Sequence, residues 1–437
     1  MNASIASSPA SSRARAQPLA HGCWCLWLVV AAVVPAAAQV DQARAAQYFK
    51  EARALCERDG GRLWGVSLCG PMVIADAATG TIATSQPAPA GDRPRVLGLV
   101  NAPIQWGGIT WSAYIWQAIL KDDQGERGRL FMHELFHRIQ PGLGLTAPGP
   151  GENPGESIHL DSLEGRYWMR LEWRALARAL RAAGAARTSA IADALAFRAA
   201  RHQRFPGAAA AEHVVDINEG IATYTQYVTG SDSAEEASRH ARTTLSGAET
   251  GTSFVRTFAY ASGAGYGLLL DALSPGWHRT ITRASDVGRL LSAAAGVTAA
   301  PDAAAAAARY DSASLRAAEE KRDRERQAII AELRRRYVDG PVLVVPRAGS
   351  GSVNNAGATV IPGAGTVFRA MSNKSAWGYF EAKDGAMISA DGNTILLPAP
   401  VVVDATTLKG DGWTATVGPG WTLQPGPRPG SFRVVRQ

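Results

Sequence analysis

Long apolar runs are missing from the sequence after about residue 38, so we expect no stable membrane span beyond that point. The one such run, Cys23 to Ala38 (CWCLWLVVAAVVPAAA), follows Arg13 and Arg15 and ends in small residues. This arrangement is typical of a secretory signal peptide. We therefore predict that residues 1–38 are a signal peptide cleaved near Ala38, with an uncleaved anchor as the alternative, and that the protein is secreted or periplasmic.

Cysteine is scarce, with four in 437 residues. Cys23 and Cys25 would leave with the signal peptide, so the exported chain would keep Cys56 and Cys69. An even pair in an exported protein favours a disulfide. Two buried free thiols are the alternative, because sequence alone does not show whether the two Cβ atoms meet.

A strong excess of charge of either sign is also absent. The formal net charge is +7, and Arg13 and Arg15 of the predicted signal peptide contribute to it. No basic helix or basic-aromatic motif stands out, so we expect no nucleic-acid partner. The apolar fraction of 46% is enough for a large buried core divided into two or three units.

The order of sequence patterns predicts an α+β protein, because helical spacing of apolar residues and short β-type runs are separated by Gly- and Pro-rich loops. We predict β-strands at 63–68, 72–75, 81–84, 95–100 and 109–116, and a loop over 141–157. Predicted helices cover 41–61, a segment from a capping box of Asp161 and Glu164 to Gly184, 189–203, 209–228, 256–273, and a long solvent-exposed stretch ending near Tyr337. From Asp339 the composition turns to Gly, Val, Thr and aromatic residues, which predicts an all-β domain over 339–437.

The segment RLFMHELFHRIQ, residues 129–140, carries an H-E-x-x-H pattern on a predicted helix that Pro141 ends. On a helix His133 and His137 lie one turn apart on the same face, so both imidazoles can bind one ion. Glu134 lies about 100° round the helix, beside the ion, where a carboxylate suits the role of general base. A ligand set of these two imidazoles and one further carboxylate favours one Zn²⁺ per chain, although cobalt or manganese could bind to the same ligands.

A third protein ligand is needed, because a catalytic zinc site combines three protein ligands with one open position. Glu164, Glu172 and Glu219 are the candidates, and Glu164 is already explained as a helix cap. Glu219 opens an otherwise apolar helix, where a carboxylate is costly to bury unless a cation meets it. The small residues Gly220 and Ala222 would also let that helix approach the His helix closely, so Glu219 is favoured.

HELFH, followed by NEGIATYTQY and FAYASGAGYGLLLDAL, resembles the active site of the gluzincin metallopeptidases, and most of all that of the gluzincin aminopeptidases. The three motifs also occur in the same order. The resemblance implies zinc ligation by His133, His137 and Glu219, general-base catalysis by Glu134, and a hydrogen bond from Tyr260 to the oxyanion. Tyr224 and Tyr227 are alternative donors, because they follow Glu219 on the same predicted helix.

Two features depart from that family. Residues 138–218 separate the second histidine from the third ligand, which predicts a helical insertion at about 141–207. The family's acidic segment for a substrate amino terminus has no counterpart, since WGGITWSAYIW, expected to lie at the active-site edge strand, has no acidic residue. Endopeptidase and exopeptidase action both remain open.

The resemblance implies a thermolysin/gluzincin-like catalytic domain over 39–338, with a small mixed sheet followed by a helical part. It implies a zinc-dependent peptidase that acts on peptide or protein substrates. The chain also resembles a class of exported bacterial proteins with a HELFHRIQ-type helix, a resemblance that implies no substrate. The alternatives are an envelope-associated binding or scaffold protein with a non-catalytic zinc site, and a hydrolase of non-peptide amides or esters.

Three further polar residues lie near Glu219 in the sequence. We predict that Asn218 and Asp216 orient metal ligands, although both types are also common as helix caps. His213 lies six residues before Glu219 and is the one further histidine of interest. It and the other histidines, His159, His202, His240 and His278, have no ligand spacing with one another.

Overall fold

The computed structural model describes residues 39–120, 123–146, 157–354, 357–404 and 406–437. The predicted signal peptide lies outside these residues. Among the described helices, none has the length and apolar character needed to cross a bilayer. Residues 40–437 form one compact unit, and the predicted α+β class with an all-β C-terminal region is confirmed.

Twelve α-helices occur in the described residues. They are α1 Gln42–Asp59, α2 Trp116–Ile119, α3 Gln124–Ile139, α4 Leu163–Arg181, α5 Gly184–Arg204, α6 Ala208–Val215, α7 Ile221–Gly230, α8 Ala234–Ala248, α9 Phe258–Leu273, α10 Val287–Ala294, α11 Ala303–Ala307 and α12 Ser312–Arg334. A π-helical turn, Asp216–Gly220, joins α6 to α7, and another, Arg335–Asp339, extends α12.

The first sheet is small and mixed. Its strands are β1 Met72–Ala75, β2 Ile82–Thr84, β3 Ala102–Trp106 and β4 Ile109–Ile115, in the order β2-β1-β4-β3. Strands β1 and β4 pair in parallel, and the other two pairings are antiparallel. The predicted strands at 72–75, 81–84 and 109–116 are therefore confirmed to within one residue, whereas β3 was not predicted.

The predicted strands at 63–68 and 95–100 are wrong, since both segments consist mainly of turns. Gly61 and Gly65 have positive φ angles of 82° and 74°, which favour glycine and reverse the chain direction. In the second segment, consecutive turns are closed by hydrogen bonds from Leu97 N to Pro94 O and from Leu99 N to Val96 O, at 3.2 and 3.1 Å. Local turn geometry overrides the β-type composition in both places.

Strand β4 holds helix α3 in place through two buried hydroxyls. Ser112 Oγ donates to the carbonyl of Glu134 at 3.0 Å, and Tyr114 Oη donates to that of Phe131 at 3.1 Å. On the other side, Arg138 Nη2 donates to the carbonyls of Leu68 and Cys69 at 3.1 and 2.8 Å. The H-E-x-x-H helix is thus fixed to the sheet and to the segment that precedes it.

The predicted disulfide is confirmed. Cys56, at the end of α1, is bonded to Cys69, and their Cα atoms are 5.2 Å apart. The bridge closes the turn-rich segment that includes Trp64. Because Arg138 binds the carbonyl of Cys69, this segment is tied to α3 as well as to α1.

The helical part departs from prediction in its detail. The N-cap of α4 is Ser162, which accepts from Gly165 N, whereas Asp161 accepts from Phe254 N at 2.9 Å, so the predicted capping box is wrong. The single predicted helix over 209–228 is interrupted by the π turn. Helix α8 was not predicted.

The predicted long exposed helix ending near Tyr337 is broken at Asp311, whose φ is +54°. Helix α12 follows, and its charges do not form a purely solvated face. Glu319 is buried and accepts from Arg166 Nε at 3.0 Å and from Arg170 Nη1 at 2.6 Å. These ion pairs attach α12 to α4.

The C-terminal region contains thirteen strands in the described residues. They are β5 Val342–Pro346, β6 Ser350–Val353, β7 Thr359–Ile361, β8 Gly365–Phe368, β9 Met371–Ser375, β10 Gly378–Ala382, β11 Ala386–Ser389, β12 Thr394–Pro398, β13 Val401–Val402, β14 Thr407–Gly410, β15 Trp413–Val417, β16 Trp421–Pro425 and β17 Phe432–Arg436. They form two sheets, ordered β13-β14-β15-β10-β9-β6 and β16-β17-β5-β12-β11-β8-β7. Residues of both sheets contribute to one apolar core, which includes Leu343, Leu397, Phe380 and Trp413.

Candidate metal centre

Three side chains from two separate segments converge beside α3. His133 and His137 lie one turn apart on this helix, and their Nε2 atoms are 3.0 Å apart. Glu219 comes from the π turn between α6 and α7, and its Oε2 is 3.3 Å from each of these two nitrogens. The structure therefore brings together the three predicted ligands and directs one donor atom of each to a common point.

The spacing of these donors suits a metal ion. Bonds of about 2.0–2.1 Å at tetrahedral angles separate neighbouring ligand atoms by about 3.3 Å, close to the observed 3.0 to 3.3 Å. Two imidazoles and one carboxylate match the ligand types of catalytic zinc sites. His133, His137 and Glu219 can therefore hold a metal ion.

The π turn and a pair of glycines bring Glu219 and Tyr260 to the same place. A Cβ atom on Gly263 of α9 would lie 2.3 Å from the Cα of Gly220, so only glycine permits this approach. Gly220 was predicted to permit close packing on the His helix, and a Cβ atom added to it would meet Gly263 and Ala259 of α9. The close packing serves α9, which carries Tyr260.

The carboxylate of Glu219 is stabilised in its ionised form. Burial alone would raise its pKa, but hydrogen bonds with His133 and His137 outweigh burial and hold the pKa well below the ordinary value of 4.5. Asn218 Nδ2 donates to the other oxygen, Oε1, at 2.8 Å. Asn218 therefore holds the carboxylate of Glu219, the candidate ligand that it was predicted to orient, and an ionised carboxylate is available to a cation.

Glu134 contributes no donor to the three-atom cluster. It is buried, its carbonyl accepts from Ser112, and its Oε2 has no hydrogen-bond partner among the described residues. Burial raises the pKa of its carboxyl, although the nearby charges of His133 and His137 oppose this. The result is a carboxyl group with spare proton-accepting capacity beside the cluster.

Tyr260 lies against His133 of the cluster. Its ring stacks on that of His133, with centroids 5.5 Å apart and planes 19° from parallel, while 40% of its surface stays exposed. Burial of the hydroxyl, the charge of Glu219 and a hydrogen bond with Glu219 raise the pKa of the phenol. Tyr260 therefore stays protonated and able to donate.

The two alternative tyrosines are engaged elsewhere. Tyr224 Oη donates to Asp271 Oδ1 at 2.8 Å, and Tyr227 Oη pairs with Thr244 Oγ1. Both side chains are buried. Of the three tyrosines that the sequence offered, Tyr260 is the one beside the metal ligands.

Gln140 contacts the candidate ligand His137, and sequence reasoning missed it. Its Oε1 is 2.7 Å from His137 Nδ1, and its Nε2 donates to the carbonyls of Ile217 and Asn218, both at 3.1 Å. Because Gln140 Oε1 can only accept a hydrogen bond, the imidazole proton of His137 lies on Nδ1. Nε2 is then free to bind a metal. The signal in the sequence was a glutamine three residues after the second histidine, one helical turn away.

His133 lacks an equivalent partner, since its Nδ1 is buried with no hydrogen-bond acceptor among the described residues. Its ring is held instead by contacts, namely the stack with Tyr260 and an edge-on contact with His137 at 4.6 Å between centroids. The two ligands are therefore oriented by different means.

The remaining candidates lie away from the cluster. Glu164 pairs with Arg316, and His213 Nε2 contacts the carbonyl of Arg283 at 2.8 Å. Asp216, predicted to orient a ligand, instead accepts from Arg198 Nη2 at 2.6 Å. Glu172 is fully buried and accepts from Arg201 and Tyr266 at 2.6 and 2.7 Å, so its negative charge is already compensated.

The cluster lies in a cleft of about 320 Å³ whose wall includes residues 101–103, Thr146, Asn218 and Tyr260. Residues 102 and 103 belong to β3, which is one of the two edge strands of the first sheet. The segment WGGITWSAYIW was expected at this edge, whereas most of it forms the interior strand β4. The lining segment 101–103, Asn-Ala-Pro, is likewise free of acidic residues.

The chain matches no protein-family model, no curated protein and no solved structure with which it was compared. The likeness to gluzincins therefore rests on the three sequence motifs.

Proposed function

We propose that the protein is an exported zinc-dependent peptidase with a gluzincin-type site. The observation that carries the proposal is the buried carboxyl oxygen of Glu134, which has no hydrogen-bond partner among the described residues and lies in the same cleft as three convergent atoms that could hold a metal ion. A purely structural metal site needs no such group, because it only has to hold the ion. Export is supported by the disulfide, since disulfides are typical of oxidising compartments.

Zinc bound by His133, His137 and Glu219 would polarise the substrate carbonyl and lower the pKa of water. Glu134 would accept the proton of the attacking water and later deliver it to the leaving amine. Tyr260, once its hydroxyl turns from Glu219 to substrate, would donate to the oxygen that becomes negative in the transition state. Gln140 would keep the His137 proton on Nδ1 throughout.

The test is cleavage of an unbiased peptide library by the chain from residue 39 onward, loaded with one equivalent of zinc. Glu134→Gln should bind zinc as the wild type does and lose turnover, because its amide cannot accept the proton. Glu57→Gln, which changes an exposed carboxylate on α1, is the matched control and should cut normally. Equal cleavage by Glu134→Gln would remove Glu134 from the mechanism.

Tyr260→Phe should lower kcat by about 100- to 1000-fold with little change in zinc content, because it removes one donor to the oxyanion. Tyr379→Phe is a matched control in the C-terminal region, since both tyrosines are 40% exposed. Zinc binding without cleavage of any peptide by the wild type would reject the peptidase proposal.

A further inference from the structure

A second pocket, of about 380 Å³, is lined in part by the segment that follows the H-E-x-x-H helix. Leu143 and Leu145 of this segment line the second pocket, whereas Gln140 and Thr146 of the same segment line the metal cleft. Within the described residues, the segment 140–146 therefore contributes to the walls of both pockets.

The second pocket carries the positive charge of two arginines. Arg62 and Arg279 line it together with His278, and both arginines are exposed. Within the described residues neither guanidinium forms an ion pair. Arg279 Nη2 donates a long hydrogen bond, of 3.5 Å, to the carbonyl of Arg62. Their donor groups are available to an incoming anion.

Two carboxylates close to lining residues of this pocket already accept hydrogen bonds from other groups. Asp271 is 3.8 Å from His278 Nδ1 but accepts from Tyr224 and from Trp277 Nε1 at 2.8 and 2.9 Å. Asp59 is buried and accepts from the backbone N–H groups of Gly61 and Leu63. With Nδ1 facing Asp271, His278 Nε2 has no hydrogen-bond partner among the described residues.

One wall of the pocket connects it to the metal ligands. Trp64 packs against Phe136 of α3 with ring centroids 5.0 Å apart and against His278 at 5.8 Å. Phe136 directly precedes His137 in the chain. The indole N–H of Trp64 donates to Thr225 at 3.1 Å, so this wall is fixed relative to α3 and α7.

We propose that this second pocket binds a carboxylate of a peptide that lies across the metal cleft. Arg62 and Arg279 would supply charge-assisted hydrogen bonds, for which guanidinium groups have the right geometry. Trp64, Leu143 and Leu145 would contact the apolar part of an acidic side chain. The inference deepens the proposed function, on which it rests, by assigning acidic peptides as the substrate class.

The test compares two labelled peptides, one of alternating glycine and glutamate and the other with glutamine in place of each glutamate. Binding is followed by fluorescence anisotropy with zinc-loaded Glu134→Gln protein at an ionic strength of about 0.15 M, where distant surface charges are screened. The glutamate peptide should bind about tenfold more tightly, as expected for two partly exposed guanidinium–carboxylate contacts.

In an Arg62→Gln/Arg279→Gln background this preference should disappear. Arg53→Gln/Arg289→Gln removes the same charge from exposed positions on α1 and α10 and should keep the preference. Arg62→Gln alone, a milder change, should reduce it in part. Melting temperature and zinc content check that each variant is folded.

The inference is overturned if the two peptides bind equally, if the Arg62/Arg279 variant keeps the preference, or if the Arg53/Arg289 control loses it. Cleavage by the wild type separates this failure from failure of the proposed function. Cleavage without an acidic preference would reject only the pocket assignment. Arg62- and Arg279-dependent binding without any cleavage would reject the peptidase and keep an acidic-peptide site.

Discussion

Residues 40–339 contain the first sheet and the helices, and we call them the helical part here; residues 342–437 are the β part. Charged side chains are buried in the described residues of the helical part but not in those of the β part. The buried acidic, arginine and histidine residues of the described helical part are Asp59, Asp76, Arg127, Arg129, His133, Glu134, Arg166, Glu172, Asp193, Arg198, Arg201, Glu212, Asp216 and Glu319. In the described β part the buried polar residues are Asn373 and Ser431, which carry no charge. The β part is stabilised by an ordinary apolar core, with Trp377 and Trp413 donating their indole N–H groups to carbonyls.

Many of the buried charges surround the π turn that carries Glu219. Arg201 donates to Glu172 at 2.6 Å and to Glu212 at 2.7 Å, and Arg198 donates to Asp216 within the turn itself. Buried ion pairs are weak evidence for stability, because desolvation offsets much of their attraction. The comparison with the β part therefore suggests the hypothesis that this network positions the π turn rather than stabilising the fold.

The largest effect is expected from Arg201→Met. It leaves Glu172 and Glu212 buried without their main partner, so the free energy of unfolding should fall by about 3–5 kcal/mol. Leu397→Ala in the β core should lower it by about 2–5 kcal/mol. Urea denaturation measures the free energy of unfolding of both variants, and zinc titration then tells whether either change also affects the metal site. Arg201→Met should also weaken zinc binding, and if both variants bind zinc like the wild type, the positioning hypothesis is wrong.

Glu219→Ala tests the metal ligand within the charged region. Zinc affinity should fall by more than about 100-fold, because changes to residues that merely support a ligand already cause losses of about 10- to 100-fold. Glu164→Ala, which removes a carboxylate paired with Arg316, should leave zinc affinity unchanged. Competition with a chelator measures both variants, and the reverse result would reassign the third ligand.

Gln140 should show a smaller effect on the same measurement. Gln140→Leu removes the acceptor for His137 and both donors to the π turn, so zinc affinity should fall by about 10- to 100-fold. Gln140→Glu keeps an acceptor for His137 Nδ1 but loses the two donated hydrogen bonds, so it should recover part of the loss. Gln47→Leu, at an exposed position on α1, serves as the control. Wild-type affinity in Gln140→Leu would contradict the assignment.

Acid should weaken the helical part before the β part. Burial alone would raise the pKa of Glu212, but the charge of Arg201 and hydrogen bonds from Arg201, His159 and His202 hold it well below the ordinary value of 4.5. Since the folded pKa is the lower one, this carboxylate stabilises the fold above the unfolded pKa, and the contribution is lost as pH falls through the folded pKa. Asp216, whose pKa burial raises, acts in the opposite direction.

Amide hydrogen-exchange protection, measured at neutral pH and below about pH 4.5, should therefore decrease first in α4 to α7. Glu212→Gln should reduce the difference between the two pH values. Equal loss of protection in the helical part and in the β sheets would contradict the prediction.

Several local features were predictable because neighbouring residues determine them. The helix with His133 and His137 follows from the spacing of its apolar residues, and the Cys56–Cys69 disulfide from the cysteine count. Predictions failed where a few residues oppose the average composition of a segment. Gly61 and Gly65 turn a β-type segment, and Ser162 replaces Asp161 as the cap of α4 because Asp161 accepts from Phe254 instead.

The sequence by itself determined the pair of imidazoles and the adjacent Glu134, since hydrogen bonding along a helix fixes which residues share a face. It ranked Glu219 first among three glutamates, and only the tertiary structure decided that this carboxylate, 86 positions from His133, lies within 3.3 Å of both nitrogens. The contacts of Gln140 were likewise decided only by the tertiary structure, because its two donated hydrogen bonds reach residues more than seventy positions away. Such proximity depends on how helices pack, here on the contact of Gly220 with Gly263. Small residues indicate that a close contact is possible, but no local pattern specifies which two helices meet there.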